Sequence, residues 1–88
     1  MYKIYGHSQC PYCKYAIRDL SNRSERYEYK DVRTSEISMN EYSAHVQATG
    51  KPFKTVPLIM FDDKFIGGYD DLKLHLEAKE LDDIEFDF

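Results

Sequence analysis

Cys10-Pro11-Tyr12-Cys13 decides the reading of this chain. It holds the only two cysteines among 88 residues, with two residues between them, one of which is proline. The pair follows the short apolar run Tyr2-Lys3-Ile4-Tyr5. It opens a segment whose apolar residues Tyr12, Ala16, Ile17 and Leu20 fall on one helical face. Proline is favoured in a first helical turn, so the sequence predicts a strand over residues 2–5 and then a helix over residues 11–21. A dithiol at a strand-to-helix junction suits thiol–disulfide exchange. The spacing lets the thiols close into a disulfide with little chain movement. The helix N-terminus stabilises the thiolate, which is the attacking form.

Composition bounds the rest. A chain of 88 residues makes one domain with a modest core. Disulfide stabilisation grows with the loop closed, and a two-residue loop closes almost nothing, so the pair reads as chemical. The net charge of −4 argues against a nucleic-acid partner. No apolar run approaches the roughly 20 residues that cross a bilayer, so no membrane partner is expected. Charged and polar groups run through residues 1–20, against a secretory leader. A reducing, cytoplasmic setting follows as an expectation. Zinc needs about four ligands, and His7, His45 and His75 lack paired spacing, so no metal is expected. His45 and His75 read as partly buried helix residues.

Further along, Tyr27, Tyr29 and Val32 read as a second strand with period two. Ser38 is the expected cap of a second helix over residues 39–48, with Glu41 as its capping-box partner. Met39, Tyr42, His45 and Val46 are expected inside, and Gly50 ends the helix. Residues 58–61 and 64–66 read as strands joined by a tight turn at Asp62-Asp63 and broken by Gly67-Gly68. Asp70 and Asp71 open a third helix to about residue 80, with Leu72, Leu76 and Ala78 among its apolar positions. The domain is expected over residues 1–80, with an acidic tail over 81–88 as a frayed end or helix extension, the alternative being that Ile84, Phe86 and Phe88 dock on a partner or on the domain itself. The order β-α-β-α-β-β-α implies an α/β sheet whose first two strands pair in parallel through a right-handed crossover. Active residues should collect at the carboxyl end of the first strand.

Three segments together carry a resemblance: Cys10-Pro11-Tyr12-Cys13, Thr55-Val56-Pro57 and Gly67-Gly68-Tyr69-Asp70-Asp71. Over roughly residues 1–80 the chain resembles the glutaredoxins, and most closely their short bacterial dithiol members, a type also carried by phages. The resemblance implies a thioredoxin-like fold: a four-stranded mixed sheet with three helices. It also implies a glutathione-dependent dithiol oxidoreductase that reduces protein disulfides and protein–glutathione mixed disulfides. Ribonucleotide reductase is one electron acceptor it suggests. Glutathione is then a co-substrate, no cofactor is tightly bound, and the chain acts as a monomer in the cytoplasm (the host's, if phage-carried).

Residue roles follow. Cys10 is the expected nucleophile, as the more exposed thiol at the helix start, with Lys14 adding positive charge nearby. Cys13, one turn on, resolves the mixed disulfide. The resemblance places Tyr12 beside glutathione. It gives Thr55-Val56-Pro57 a cis proline facing the dithiol, with the Val56 backbone pairing strand-like with the cysteinyl part. It sets Gly68, Tyr69, Asp70 and Asp71 at a helix N-terminus that takes the γ-glutamyl carboxylate, Asp71 meeting the amino group. Two positions depart from the family pattern. Asp70 stands where threonine or serine is usual. His7 stands where lysine or arginine faces the glycine carboxylate, and Lys51 or Lys54 is the expected substitute. Pro11 argues against a shared iron–sulfur cluster. The rival readings are a thioredoxin-like reductant regenerated by a flavoprotein reductase, and a non-catalytic binding module.

Overall fold

Side chains along Tyr2-Lys3-Ile4-Tyr5 alternate between two cores, and this alternation organises the molecule. The structure is a computed structural model that describes residues 1–50 and 55–83. Lys51, Lys54 and residues 84–88 lie outside the described residues. The elements are β1 (Tyr2–Gly6), α1 (Pro11–Asn22), β2 (Tyr27–Asp31), α2 (Glu36–Thr49), β3 (Leu58–Phe61), β4 (Lys64–Gly67) and α3 (Tyr69–Asp83). The four strands form one sheet in the order β2-β1-β3-β4. β1 runs parallel to β2, with Ile4 opposite Tyr29, and antiparallel to β3, with Ile4 opposite Ile59. β4 pairs antiparallel with β3. This is the thioredoxin-like arrangement the sequence implies.

On one face Tyr2, Ile4 and Ile59 bury against Ala16 and Leu20 of α1 and Leu72 and Leu76 of α3. On the other, Tyr5, Leu58 and Met60 meet Tyr42 and Val46 of α2. Full burial of each such side chain is worth roughly 1.5–3 kcal/mol, so both helical layers are held chiefly by apolar contact with the sheet. The expected histidines fit this frame. His75 Nε2 lies 3.0 Å from the Tyr2 hydroxyl, and His45 Nε2 lies 3.2 Å from the Tyr5 hydroxyl.

Several local expectations are corrected. The second helix begins at Glu36, not residue 39, and its cap is Ser35. Ser35 is extended, and its hydroxyl accepts the Ser38 N–H at 3.2 Å. Ser38 is therefore buried in the first turn, and Met39 turns outward, 43% exposed. The inward positions Ser38, Tyr42, His45 and Val46 keep helical spacing from a start three residues earlier. Glu41 does not close a capping box. Its carboxylate accepts the Tyr5 hydroxyl at 2.9 Å and pairs with Lys30 at 3.0 Å. Val32 lies past the end of β2 and packs on the α2 side, whereas Tyr27 and Tyr29 pack on the other, as the strand's parity requires. α1 buries Cys13, Ala16 and Leu20 with Ile17 partly covered, while Tyr12 stands out at 55% exposure. α3 starts one residue before Asp70 and runs past residue 80 to Asp83, and Ala78 on it is exposed.

Candidate active site

The dithiol sits where β1 hands over to α1. Cys10 is the N-cap of α1, with extended backbone (φ −95°, ψ 107°), and Pro11 fills the first turn. Its Sγ accepts the backbone N–H of Cys13 at 3.1 Å. The two cysteines are joined as a disulfide, with Cα atoms 5.3 Å apart. Exposure does not separate them as the sequence suggested, since Cys10 is 4% and Cys13 2% exposed. Position does. Only Cys10 Sγ lies at the open end of the helix, where unpaired N–H groups and the helix dipole favour negative charge on sulfur. Gly6, the last residue of β1, makes room for the pair. A Cβ at that position would collide with Cys13 Sγ and come within 3.3 Å of Cys13 Cβ.

The loop before Cys10 is braced from two sides. The Cys10 N–H donates to the His7 carbonyl at 3.2 Å, and the Gln9 N–H donates to His7 Nδ1 at 3.2 Å. Arg33, just after β2, reaches across to donate to Gln9 Oε1 at 3.0 Å. The Asp31 carboxylate accepts the N–H groups of Arg33 at 2.8 Å and Thr34 at 3.0 Å. The hydrogen bond from Thr34, then that from Arg33, holds the Asp31 carboxyl below its usual range.

Tyr12, Thr55, Val56, Pro57, Gly68, Tyr69, Asp70 and Asp71 line a single groove of about 410 Å³. These are the same eight residues expected as glutathione contacts. The Val56–Pro57 peptide bond is cis. Tyr42 of α2 donates its hydroxyl to the Thr55 carbonyl at 2.9 Å, which ties that loop to the helix. At the opposite wall the Gly68 N–H donates to Asp71 Oδ2 at 3.1 Å, and the Leu72 N–H donates to the Gly68 carbonyl at 3.0 Å. Asp71 thus reaches back over the first turn of α3 like the acidic partner of a capping box. Gly67 has φ +123°, and a Cβ there would strike the Asp71 carboxylate, with its Cγ at 2.8 Å, so glycine is required twice over.

Tyr69 forms the floor next to Tyr12. Its hydroxyl donates to Asp19 Oδ2 at 2.7 Å, and that bond raises the phenol's pKa. His7 is not brought into this groove. It lines a separate depression of about 380 Å³ with Ser8, Cys13, Lys14, Ile17 and Tyr29. The sequence reading missed Gly6, Asp19, Arg33 and Tyr42. Gly6 sits four residues before the first cysteine at a strand end and was legible as a close-approach glycine. The other three act through side chains that meet only once the layers are packed.

Comparison with known proteins agrees with this geometry. The glutaredoxin family model matches residues 2–66. Glutaredoxin 1 of Escherichia coli (strain K12) is 41% identical over 73 residues, covering 77% of this chain and 82% of that protein. The solution structure of a dithiolic glutaredoxin from Trypanosoma brucei brucei has a TM-score of 0.75 at 26% identity, over 94% of this chain and 84% of that one. A buckwheat glutaredoxin solved as its glutathione complex shares the fold, with a TM-score of 0.74 at 23% identity, over 91% of this chain and 72% of that one. No helix among the described residues is long and apolar enough to cross a membrane. With a family model spanning most of the chain and a bacterial relative at this level of identity, the chain belongs to the glutaredoxins and is a glutathione-dependent thiol–disulfide oxidoreductase with Cys10 and Cys13 as its redox pair.

Proposed function

We propose that Cys10 is the nucleophile, Cys13 the resolving thiol, and the groove from Tyr12 to Asp71 the glutathione site. The observation that carries this reading is the convergence of three distant segments on one groove walled by Tyr12, the residue between the cysteines and Cys13's neighbour. In this scheme the Cys10 thiolate attacks one sulfur of a substrate disulfide and expels the other as a thiolate, which takes up a proton. The Cys13 thiolate then attacks Cys10 sulfur and releases the second substrate thiol, leaving the Cys10–Cys13 disulfide. One glutathione thiolate reopens that bond and becomes attached to Cys10. A second attacks the attached sulfur, giving glutathione disulfide and regenerating the dithiol. Two electrons pass from two glutathione molecules to one substrate disulfide.

Within the groove, the Val56 backbone pairs with the cysteinyl part of glutathione, and the first N–H groups of α3 face its γ-glutamyl carboxylate. Asp71, already accepting from Gly68, offers its carboxylate to the amino group. His7, Lys51 and Lys54 are the candidates for the glycine carboxylate. Substrates are disulfide-containing and glutathionylated proteins in a reducing, cytoplasmic compartment, ribonucleotide reductase among them.

The test is glutathione-dependent reduction of a glutathionylated peptide by wild type, Cys10→Ser and Cys13→Ser. A dead Cys10→Ser beside an active Cys13→Ser is the expected result. Wild type that is inactive with glutathione but active with a thioredoxin reductase would remove the glutathione site. Purified ribonucleotide reductase that gains no turnover from the reduced protein would remove that acceptor.

A further inference from the structure

Helix α1 gains nothing by itself from Asp19. The residue lies in the last turn, where a carboxylate opposes the helix dipole. Its ion pair is with adjacent Arg18, whose side chain is 57% exposed, and exposed pairs contribute little. The short contact leads elsewhere. The Tyr69 hydroxyl donates to Asp19 Oδ2 at 2.7 Å, the length of a charge-assisted bond. Arg18 Nε holds the other oxygen, Oδ1, at 3.1 Å, so both carboxylate oxygens are engaged. The Asp19 side chain is only 22% exposed, so the bond lies mostly out of water.

Tyr69 is the first residue of α3 and lines the groove, and its ring centroid lies 6.0 Å from that of Tyr12, between the cysteines. Behind it, Ala16 and Leu20 of α1 meet Leu72 and Leu76 of α3, all buried, so the two helices stay packed without Asp19. Apolar packing is non-directional, and the hydroxyl bond adds a direction to the ring. We propose that Asp19 is a positioning residue for glutathione: it holds the Tyr69 ring, and with it the first turn of α3, in place relative to the dithiol carried by the same helix. This rests on the groove being the glutathione site. A ring and a helix end already in place need no ordering when the ligand arrives, so the effect falls on binding and not on the chemical step. Charge alone acts the other way. Glutathione brings two carboxylates, and deleting a negative group beside the groove would by itself favour it. The sign of the change in KM therefore separates positioning from electrostatics.

The test is steady-state reduction of a glutathionylated peptide, with melting temperatures alongside. Asp19→Ala is expected to raise KM about fivefold and change kcat less than twofold. Tyr69→Phe, which keeps the ring and deletes the donor, should give the same rise. The double variant should be no worse than either single one, because both remove one bond. Asp19→Asn keeps an acceptor without the charge and should return KM to within about twofold of wild type. Alkylation of reduced Cys10 by iodoacetamide, which involves no glutathione, should proceed at the wild-type rate in Asp19→Ala. An unchanged or lowered KM in Asp19→Ala overturns the proposal. So does a double variant whose KM is the product of the single effects, since Asp19 would then act other than through Tyr69. Should Asp19→Ala fail to fold, an unchanged KM in Tyr69→Phe overturns it equally. Wild type without glutathione-dependent turnover removes the glutathione reading, and the positioning role with it, before any variant is compared. Saturable wild-type turnover beside an unmoved Asp19→Ala removes the positioning role alone.

Discussion

The Tyr42 hydroxyl donates to the Thr55 carbonyl at 2.9 Å, so the helix on one face of the sheet holds the loop that forms one wall of the groove. Burial raises the Tyr42 phenol's pKa. Tyr42→Phe keeps the ring against Leu58 and Met60 and deletes the tether. The expected result is a rise of about two- to fivefold in KM for glutathionylated substrate with kcat nearly unchanged, and a stability loss of about 1 kcal/mol. Steady-state kinetics with a denaturation curve check this, and an unchanged KM would show that the loop is held by other contacts.

Gly6 makes a sharper prediction. A methyl group there would run into Cys13 Sγ, which is 2% exposed and packed at the start of the core. Overpacking of this kind costs typically 1–3 kcal/mol. Gly6→Ala should therefore lower Tm and also cut activity by at least about tenfold, because the displaced sulfur is the one proposed to attack Cys10. A variant that is less stable but fully active would mean that Cys13 can shift without losing its line of attack.

How much of this was legible in the sequence depends on whether the signal is local. The strands and helices were readable because Tyr2, Ile4, Ile59, Leu72 and Leu76 repeat at the right spacing to face one core. The groove was readable because its three segments each carry their own short signature. The start of α2 was not, because Ser35 and Ser38 are both plausible caps and only the packing of Ser38 chooses between them. Glu41 misled for the same reason: three residues past a serine it looks like a capping partner, yet Tyr5 and Lys30 claim it across the sheet. The contacts of Arg33 with Gln9 and of Tyr42 with Thr55 join residues 24 and 13 positions apart, and no local pattern announces them.

Glu41 also sets an acid limit. The hydrogen bond from Lys30, then that from Tyr5, holds its carboxyl below the ordinary value of 4.5. A depressed carboxylate contributes stability that is complete above its unfolded value and lost as pH falls through the folded one. Glu41→Gln should therefore flatten the fall in stability between about pH 5 and pH 3, with the gap between wild type and variant closing toward pH 3. Urea curves at half-unit intervals read this directly. Parallel wild-type and variant profiles would place the acid sensitivity in other carboxylates. Tyr5 gives the alkaline counterpart. Burial, then the bond to Glu41, raises its phenol above 10.0, so its contribution is complete below that pH and fades above it.

Asp70 and His7 are the two places where the groove and its approach carry less positive charge than the family pattern implies. Asp70 is exposed on the groove wall, one residue into α3, where the helix N-terminus would otherwise favour an anion. A second carboxylate there opposes the one brought by glutathione. Asp70→Thr removes that charge and keeps a side chain suited to a helix start. It should lower KM for a glutathionylated peptide by about two- to fivefold at low ionic strength, the gain shrinking in salt. His7→Lys adds a cation on the other side of the dithiol and is expected to lower the same KM by a similar factor. Asp70 lines the groove and His7 the separate depression, so the double variant should show nearly the product of the two effects. An unchanged KM in His7→Lys, with Asp70→Thr behaving as expected, would take His7 out of the site and leave the glycine carboxylate to the segment holding Lys51 and Lys54.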